Sequence, residues 1–191
     1  MRRIRKKDGM RACAYVVGEG TGSVLKDSAR QAGFDSVYSY RGVLAAERQA
    51  AKTPLIFFLF SPVETLKTLK SVIEAVRASE VPQLRFAPMI YFVESPSLEV
   101  IKSCINMGFD DIISLPFTLN RVVQRLSLQV DRTLVYFETP TYFGPDRRNR
   151  LEHEEGHARR GTGGQFRRME IVRTTTAGIN VVKDETHVVM L

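Results

Sequence analysis

The chain has 191 residues, and 43% of them are hydrophobic, so it can bury a core and is not an intrinsically disordered chain. Lys and Arg outnumber Asp and Glu by 28 to 21, and the net charge of +7 favours an anionic partner without naming one. No apolar run approaches the roughly 20 residues of a membrane helix. The two cysteines, Cys13 and Cys104, exclude a disulfide framework and a zinc knuckle.

The N-terminal end is basic but is not followed by a clean apolar segment, so no secretory signal is expected. We therefore expect a cytoplasmic protein.

Short apolar or β-rich runs alternate along the chain with helical stretches. The run at 55–60 is wholly apolar, as expected for a strand that helices cover on both faces. The pattern predicts five strands at 12–17, 36–40, 55–60, 86–93 and 112–117, and five helices at 24–32, 43–51, 63–79, 98–107 and from 119 to about 134. Five βα repeats indicate an α/β fold with a doubly wound, parallel sheet.

The end of the fifth strand resembles a known family. The residues Gly108-Phe109-Asp110-Asp111-Ile112-Ile113-Ser114-Leu115-Pro116-Phe117 are similar to the last strand of response-regulator receiver domains. The resemblance covers roughly residues 10 to 132. It implies a flavodoxin-like (CheY-like) five-stranded parallel sheet with strand order 2-1-3-4-5, followed here by a C-terminal extension.

The residues that phosphoryl transfer needs in that family are not matched. The resemblance implies an aspartate at the end of the third strand, acidic residues after the first strand, a hydroxyl after the fourth and a lysine at the end of the fifth. Here Leu59 stands at the acceptor position, with Phe60 and Ser61 next, Val93 stands near the hydroxyl position and Leu115 stands at the lysine position. No shift of this alignment along the third strand places a carboxylate at the acceptor position, because no Asp or Glu lies between Lys52 and Glu64.

We therefore expect no phosphorylation at this pocket, no metal site, no cofactor and no enzymatic activity. The apolar replacements are interpreted as core packing. The glycine-rich turn from Gly18 to Ser23 leaves anion binding open, since backbone amides before a helix can hold phosphate, although it matches neither the dinucleotide fingerprint nor the P-loop.

Three parts are predicted along the chain: a basic arm at 1–9, a receiver-like domain at 10–134 and an arginine-rich tail at 135–191 with a short β-hairpin near 169–182. The segment from Tyr142 to Arg148 resembles one that follows receiver-like domains in some alphaproteobacterial proteins. The tail arginines are candidates for holding a phosphate or carboxylate surface; they are Arg147, Arg148, Arg150, Arg159 and Arg160.

The leading hypothesis is a pseudo-receiver, an atypical response-regulator-like protein of bacterial two-component or phosphorelay signalling. It would act through protein–protein contacts or self-association and not through its own phosphorylation. The family implies a partner surface on the fourth helix, fifth strand and fifth helix, here Lys102, Asn106, Ile112, Arg121 and Arg125. The alternative is a regulator that binds nucleic acid or a cyclic dinucleotide through the arginine-rich tail, with salt-sensitive affinity.

Overall fold

The computed structural model describes residues 11–18, 22–62, 66–146 and 164–189. Its first part alternates strands and helices: β1 (Cys13–Val17), α1 (Gly22–Gln31), β2 (Ser36–Ser39), α2 (Val43–Ala50), β3 (Ile56–Phe60), α3 (Lys67–Arg77), α4 (Pro82–Arg85), β4 (Met89–Glu94), α5 (Leu98–Asn106), β5 (Asp111–Leu115) and α6 (Leu119–Ser127). Four further strands follow: β6 (Thr133–Thr139), β7 (Tyr142–Pro145), β8 (Gly164–Thr174) and β9 (Gly178–Val189).

The first five strands form one parallel sheet in the order β2-β1-β3-β4-β5. This confirms the predicted flavodoxin-like fold. Every residue of β1 and β3 is buried, because helices cover both faces of the central strands.

The two faces of the parallel sheet have separate hydrophobic cores. On one face, Phe58 and Tyr91 pack with residues of α2, α3 and α5, including Ile73 and Cys104. On the other face, side chains of α1 and α6 cover the sheet; they include Leu25, Ala29, Val122 and Leu126. Both cysteines are buried and neither forms a disulfide, as expected of small apolar residues.

Two of the predicted helix boundaries are wrong. The third predicted helix ends at Arg77, and a short helix that the prediction missed, α4, follows with Pro82 in its first turn. The last predicted helix ends at Ser127. The chain then passes through Asp131, which has a positive φ of 54°, and Thr133 begins a strand. The expected domain boundary at Leu134 therefore falls inside β6.

The last four strands form a second, antiparallel sheet in the order β7-β6-β8-β9. The hairpin expected near 169–182 is much longer, since β8 has 11 residues and β9 has 12. Tyr136, Met169 and Ile171 of this sheet form a small third core with Phe86, which directly follows α4. The second sheet therefore packs against the α/β part through a small core of its own.

Close backbone contacts at three glycines position the second sheet against the parallel sheet. Gly108, with φ of 82°, follows α5, and a Cβ there would lie less than 3.0 Å from the carbonyl oxygen of Phe143 in β7. A Cβ on Gly144 would likewise lie less than 3.0 Å from the Cα of Gly108. Gly178, the first residue of β9, is packed in the same way on Pro54, just before β3. These contacts place the second sheet at the amino ends of the parallel strands.

No helix among the described residues combines the length and the apolar character needed to cross a membrane.

Candidate functional sites at the two ends of the parallel sheet

The carboxyl ends of β1 and β3 meet at Gly18 and Ser61. The Ser61 side chain is fully buried, and its Oγ donates a hydrogen bond to the carbonyl oxygen of Val17 at 3.1 Å. Gly18 has a φ of 107°, and a Cβ at this position would lie less than 3.0 Å from that Oγ. The hydroxyl of Ser61 therefore occupies the space where a side chain on residue 18 would stand.

The residues predicted at the receiver pocket are apolar and mostly buried. Leu59 lies within β3, is 1% exposed and packs in the core with Val16 and Phe92. Val93 is buried in the core on the opposite face, and Leu115 is half-buried at the end of β5. The first residue beyond β3 is Ser61, so the position at the strand end carries a hydroxyl and not a carboxylate.

The described residues at this edge offer few ligands for a divalent cation and a phosphoryl group; Glu19 and Glu64 lie outside the described residues. Such a site needs several oxygen ligands, carboxylates above all. Among the described residues, no group of three His, Cys, Asp or Glu side chains is arranged for a metal ion, and the carboxylate at the end of β4, Glu94, is exposed. Glu19 and its neighbours at 19–21 lie outside the described residues, so the anion-binding turn from Gly18 to Ser23 remains a prediction.

The predicted partner surface on α5, β5 and α6 is only partly available. Lys102, Asn106 and Arg121 are exposed. Ile112 is half-buried and packs against the core. Arg125 is already engaged, because its Nε donates to Asp111 Oδ2 at 2.7 Å and its Nη2 donates to Oδ1 of the same carboxylate.

The same two helices also carry exposed apolar side chains that were not predicted from the sequence. Leu98 begins α5 and is 65% exposed, and Leu119 and Val123 of α6 are each 37% exposed. Helical periodicity places such residues on a face but does not say whether a neighbouring element covers that face. The five tail arginines, Arg147, Arg148, Arg150, Arg159 and Arg160, lie outside the described residues.

At the opposite end of the parallel sheet, Asp110 is the centre of a buried ionic cluster. Its Oδ2 accepts hydrogen bonds from Arg77 Nη2 at 2.9 Å and from the Met89 amide at 2.8 Å. Its Oδ1 accepts from Arg173 Nη2 at 2.7 Å and from the hydroxyl of Tyr136. The carboxylate is only 2% exposed.

The two arginines of this cluster also bind backbone carbonyls. Arg77 donates to the carbonyl oxygens of Arg85, Ala87 and Gly108 at 2.8 to 3.0 Å. Arg173, which is fully buried, donates through Nε to the carbonyl oxygen of Phe86 at 2.8 Å. Buried guanidinium groups require such partners, because an unpaired charge in the interior is very unfavourable.

The pKa of Asp110 reflects two opposing effects. Burial alone would raise it, but the charges of Arg173 and Arg77 outweigh burial and hold the pKa of this carboxyl below its usual range. Burial raises the pKa of the Tyr136 hydroxyl, and the Asp110 charge adds to that increase. The cluster therefore contains an ionised Asp110 and a neutral Tyr136 at neutral pH.

This cluster was not predicted from the sequence, although one signal for it was present. Arg173 shares strand parity with Met169 and Ile171, both buried, so alternation places its side chain on the buried face of β8. A charge at an inward position implies a partner, but the sequence does not say which one.

Comparisons with known proteins found similar solved structures. A response regulator from Thermotoga maritima shares 18% identity over 62% of this chain and 96% of its own, with a TM-score of 0.47. A CheY-like protein (tadZ) from Pseudomonas aeruginosa shares 12% identity over 62% of this chain and 98% of its own, with a TM-score of 0.48.

A third structure is the receiver domain of a sensor histidine kinase from Pseudomonas aeruginosa, with a magnesium ion in its active-site cleft. It shares 21% identity over 62% of this chain and 97% of its own, with a TM-score of 0.44. No protein-family model and no curated protein matches the chain. Similarities at this level concern the fold and carry no conclusion about function.

Proposed function

We propose that the protein is a pseudo-receiver: a receiver-like signalling module that works through protein contacts and does not take a phosphoryl group at the carboxyl edge of its parallel sheet. The observation that carries the proposal is the pair formed by Gly18 and Ser61. The buried hydroxyl of Ser61 binds the carbonyl oxygen of Val17 and occupies the space beside Gly18. The end of β3 therefore carries a buried hydroxyl and no carboxylate.

The neighbouring positions support the same proposal. Leu59 is part of the core, and Val93 and Leu115 offer no hydroxyl and no ammonium group to phosphoryl oxygens. Phosphoryl transfer depends almost entirely on positioned charges around the transferring group. An edge built from these side chains supplies none of them.

We place the partner surface on α5, β5 and α6, at Lys102, Asn106, Ile112, Arg121 and Arg125. The exposed cations Lys102 and Arg121 lie on helices that also present Leu98 and Val123 to solvent. Apolar contact area with charges around it is the usual composition of a protein–protein interface. Arg125 contributes differently, since its bond to Asp111 ties α6 to β5 and supports the shape of the surface.

A phosphorylation assay tests the proposal. The full chain is incubated with a small-molecule phosphodonor and Mg²⁺, and the intact mass is measured before and after treatment with hydroxylamine, which cleaves acyl phosphates. An active receiver domain serves as the positive control. We expect no mass increase for this protein. A stoichiometric, hydroxylamine-sensitive phosphoryl adduct would overturn the proposal.

A further inference from the structure

Strand β9 is the outer edge of the second sheet. Among the described residues it pairs with β8 alone, and it has 12 residues, about twice the usual strand length. Every residue from Asn180 to Val188 except Glu185 is exposed. Val181, Val182 and Val188 are 39%, 52% and 66% exposed. An edge of this kind presents a row of backbone donors and acceptors to any strand of matching chemistry.

The edge carries charged side chains and one bulge but lacks two other usual protections against pairing, since it is long and contains no proline. Natural edge strands are commonly short, interrupted by proline, or twisted away by a bulge. β9 contains no proline, and its register irregularity lies opposite Glu170 and Ile171, near Val182. The segment from Lys183 to Val189 is regular, in continuous register with β8 from Glu170 back to Gly164. This regular segment extends beyond β6, whose pairing with β8 reaches only to Arg167.

The charges of the regular segment identify a matching strand. Lys183, Glu185 and His187 share one face of β9, since alternate residues of a strand point the same way. The ring of His187 is stacked on Phe166 with centroids 4.9 Å apart, which keeps it on that face. Asp184 points to the other face, where Arg167 binds it through two hydrogen bonds.

We propose that β9 pairs in antiparallel fashion with β9 of a second copy of this chain, around a two-fold axis at Thr186. In this register the two Thr186 residues face each other, each Glu185 lies opposite the His187 of the other copy, and each Asp184 lies opposite a Val188. Cross-strand threonine pairs and pairs of opposite charge stabilise antiparallel strands, whereas like charges directly opposite each other destabilise them. The pair of Glu185 with His187 avoids like charges.

Registers centred on Lys183, Asp184 or Glu185 are less favourable. An axis at Asp184 or at Glu185 brings two identical carboxylates together, and an axis at Lys183 brings two ammonium groups together. An axis at Asp184 or Lys183 also carries the pairing into the irregular part of the strand at Val182. The Thr186 register avoids both problems and joins two four-stranded sheets into one continuous sheet. This inference concerns a different surface from the proposed function and does not depend on it.

Symmetric cross-linking of the full-length protein tests the proposed register. Residues directly opposite each other in an antiparallel pair have Cα atoms about 4.5 to 5.5 Å apart, within the range of a disulfide. Thr186→Cys is therefore expected to form a covalent dimer on mild oxidation. Lys183→Cys is the matched control on the same strand, because its two copies would lie roughly 20 Å apart in this register. The native Cys13 and Cys104 are fully buried and do not compete.

A charge variant tests the same interface without cross-linking. His187→Glu places a carboxylate opposite each Glu185, and His187→Gln keeps a hydrogen-bond donor there. We expect sedimentation equilibrium to show a concentration-dependent dimer for the natural sequence and for His187→Gln, and about a tenfold weaker dimer for His187→Glu. The proposal is overturned if the protein is monomeric at all concentrations, or if Thr186→Cys cross-links no better than Lys183→Cys.

Discussion

The guanidinium of Arg173 in β8 binds the carboxylate of Asp110, a residue 63 positions earlier that lies between α5 and β5, with Nη2 and Oδ1 2.7 Å apart. The side chains are 0% and 2% exposed. This contact joins the antiparallel sheet to the amino edge of the parallel sheet, and Arg77 completes it from α3.

Removing Arg173 is expected to destabilise the whole protein. Arg173→Met leaves Asp110 buried with one cation fewer, and breaking a buried pair in this way costs about 3–5 kcal/mol. Urea unfolding followed by circular dichroism measures the change. Arg168→Met, which breaks the partly exposed pair with Glu170, is the control and is expected to cost less than about 1 kcal/mol. Equal losses for the two variants would contradict a special role for Arg173.

Stability is expected to fall in acid because of Asp110. Its pKa is lower in the folded chain than in the unfolded chain, where it is about 3.9. The carboxylate therefore contributes fully above pH 4 or so and loses its contribution as the pH falls through the lower, folded pKa.

Asp110→Asn should lower the free energy of unfolding at neutral pH and flatten its decrease below about pH 4. The control is Asp27→Asn, which changes an exposed side chain. Its free energy of unfolding should decrease in acid as it does for the natural sequence. Urea unfolding at a series of pH values measures both, and an unchanged acid slope in Asp110→Asn would disprove the assignment.

Gly108→Ala is expected to displace β7. The added methyl group meets the carbonyl oxygen of Phe143, which belongs to the backbone and has little freedom to move aside. Hydrogen exchange of the backbone amides of Tyr142, Phe143 and Gly144 in β7 should therefore become faster. Gly42→Ala is the matched control, since Gly42 also has a positive φ but has no atom within 4 Å of the added carbon. Unchanged exchange of β7 in Gly108→Ala would show that the sheet does not depend on this contact.

Gly18 and Ser61 should show strong thermodynamic coupling. Gly18→Ala alone should lower the stability for two reasons: alanine disfavours the positive φ at this position, and its methyl group collides with the Ser61 hydroxyl. Ser61→Ala removes that oxygen, so the double variant should be more stable than the sum of the two single changes predicts, by about 1 kcal/mol or more. Thermal unfolding of the four proteins gives the coupling energy. Simple additivity would mean that the two residues do not share one space.

The proposed partner surface predicts a charge-reversal effect. Lys102→Glu combined with Arg121→Glu should reduce recovery of a protein partner about tenfold without changing the unfolding temperature, because both side chains are exposed.

The control for this pair, Arg48→Glu with Lys52→Glu, makes the same charge change near α2 and should leave recovery intact. Nuclease treatment of the lysate separates this outcome from the alternative of nucleic-acid binding. Recovery that depends on nucleic acid, or that survives the reversal, would contradict the proposed surface.

The α/β part of this protein follows from local patterns in its sequence. The apolar run at β3 and the alternation of strands with amphipathic helices are local patterns, so they predicted the five-stranded parallel sheet and its helices on both faces. The sequence also predicted the lack of an acceptor carboxylate at the end of β3, because no Asp or Glu lies between Lys52 and Glu64.

The role of the second sheet depends on contacts between residues that are far apart in the sequence. The sequence shows that Asp110, Arg77 and Arg173 are charged, but they are separated by 33 and 63 residues, and their pairing depends on how two sheets meet. The same holds for Gly108 and Gly144, whose backbones touch because neither has a side chain. Local patterns set which face of an element is buried, whereas the partner of a buried charge is set by long-range packing that no single segment encodes.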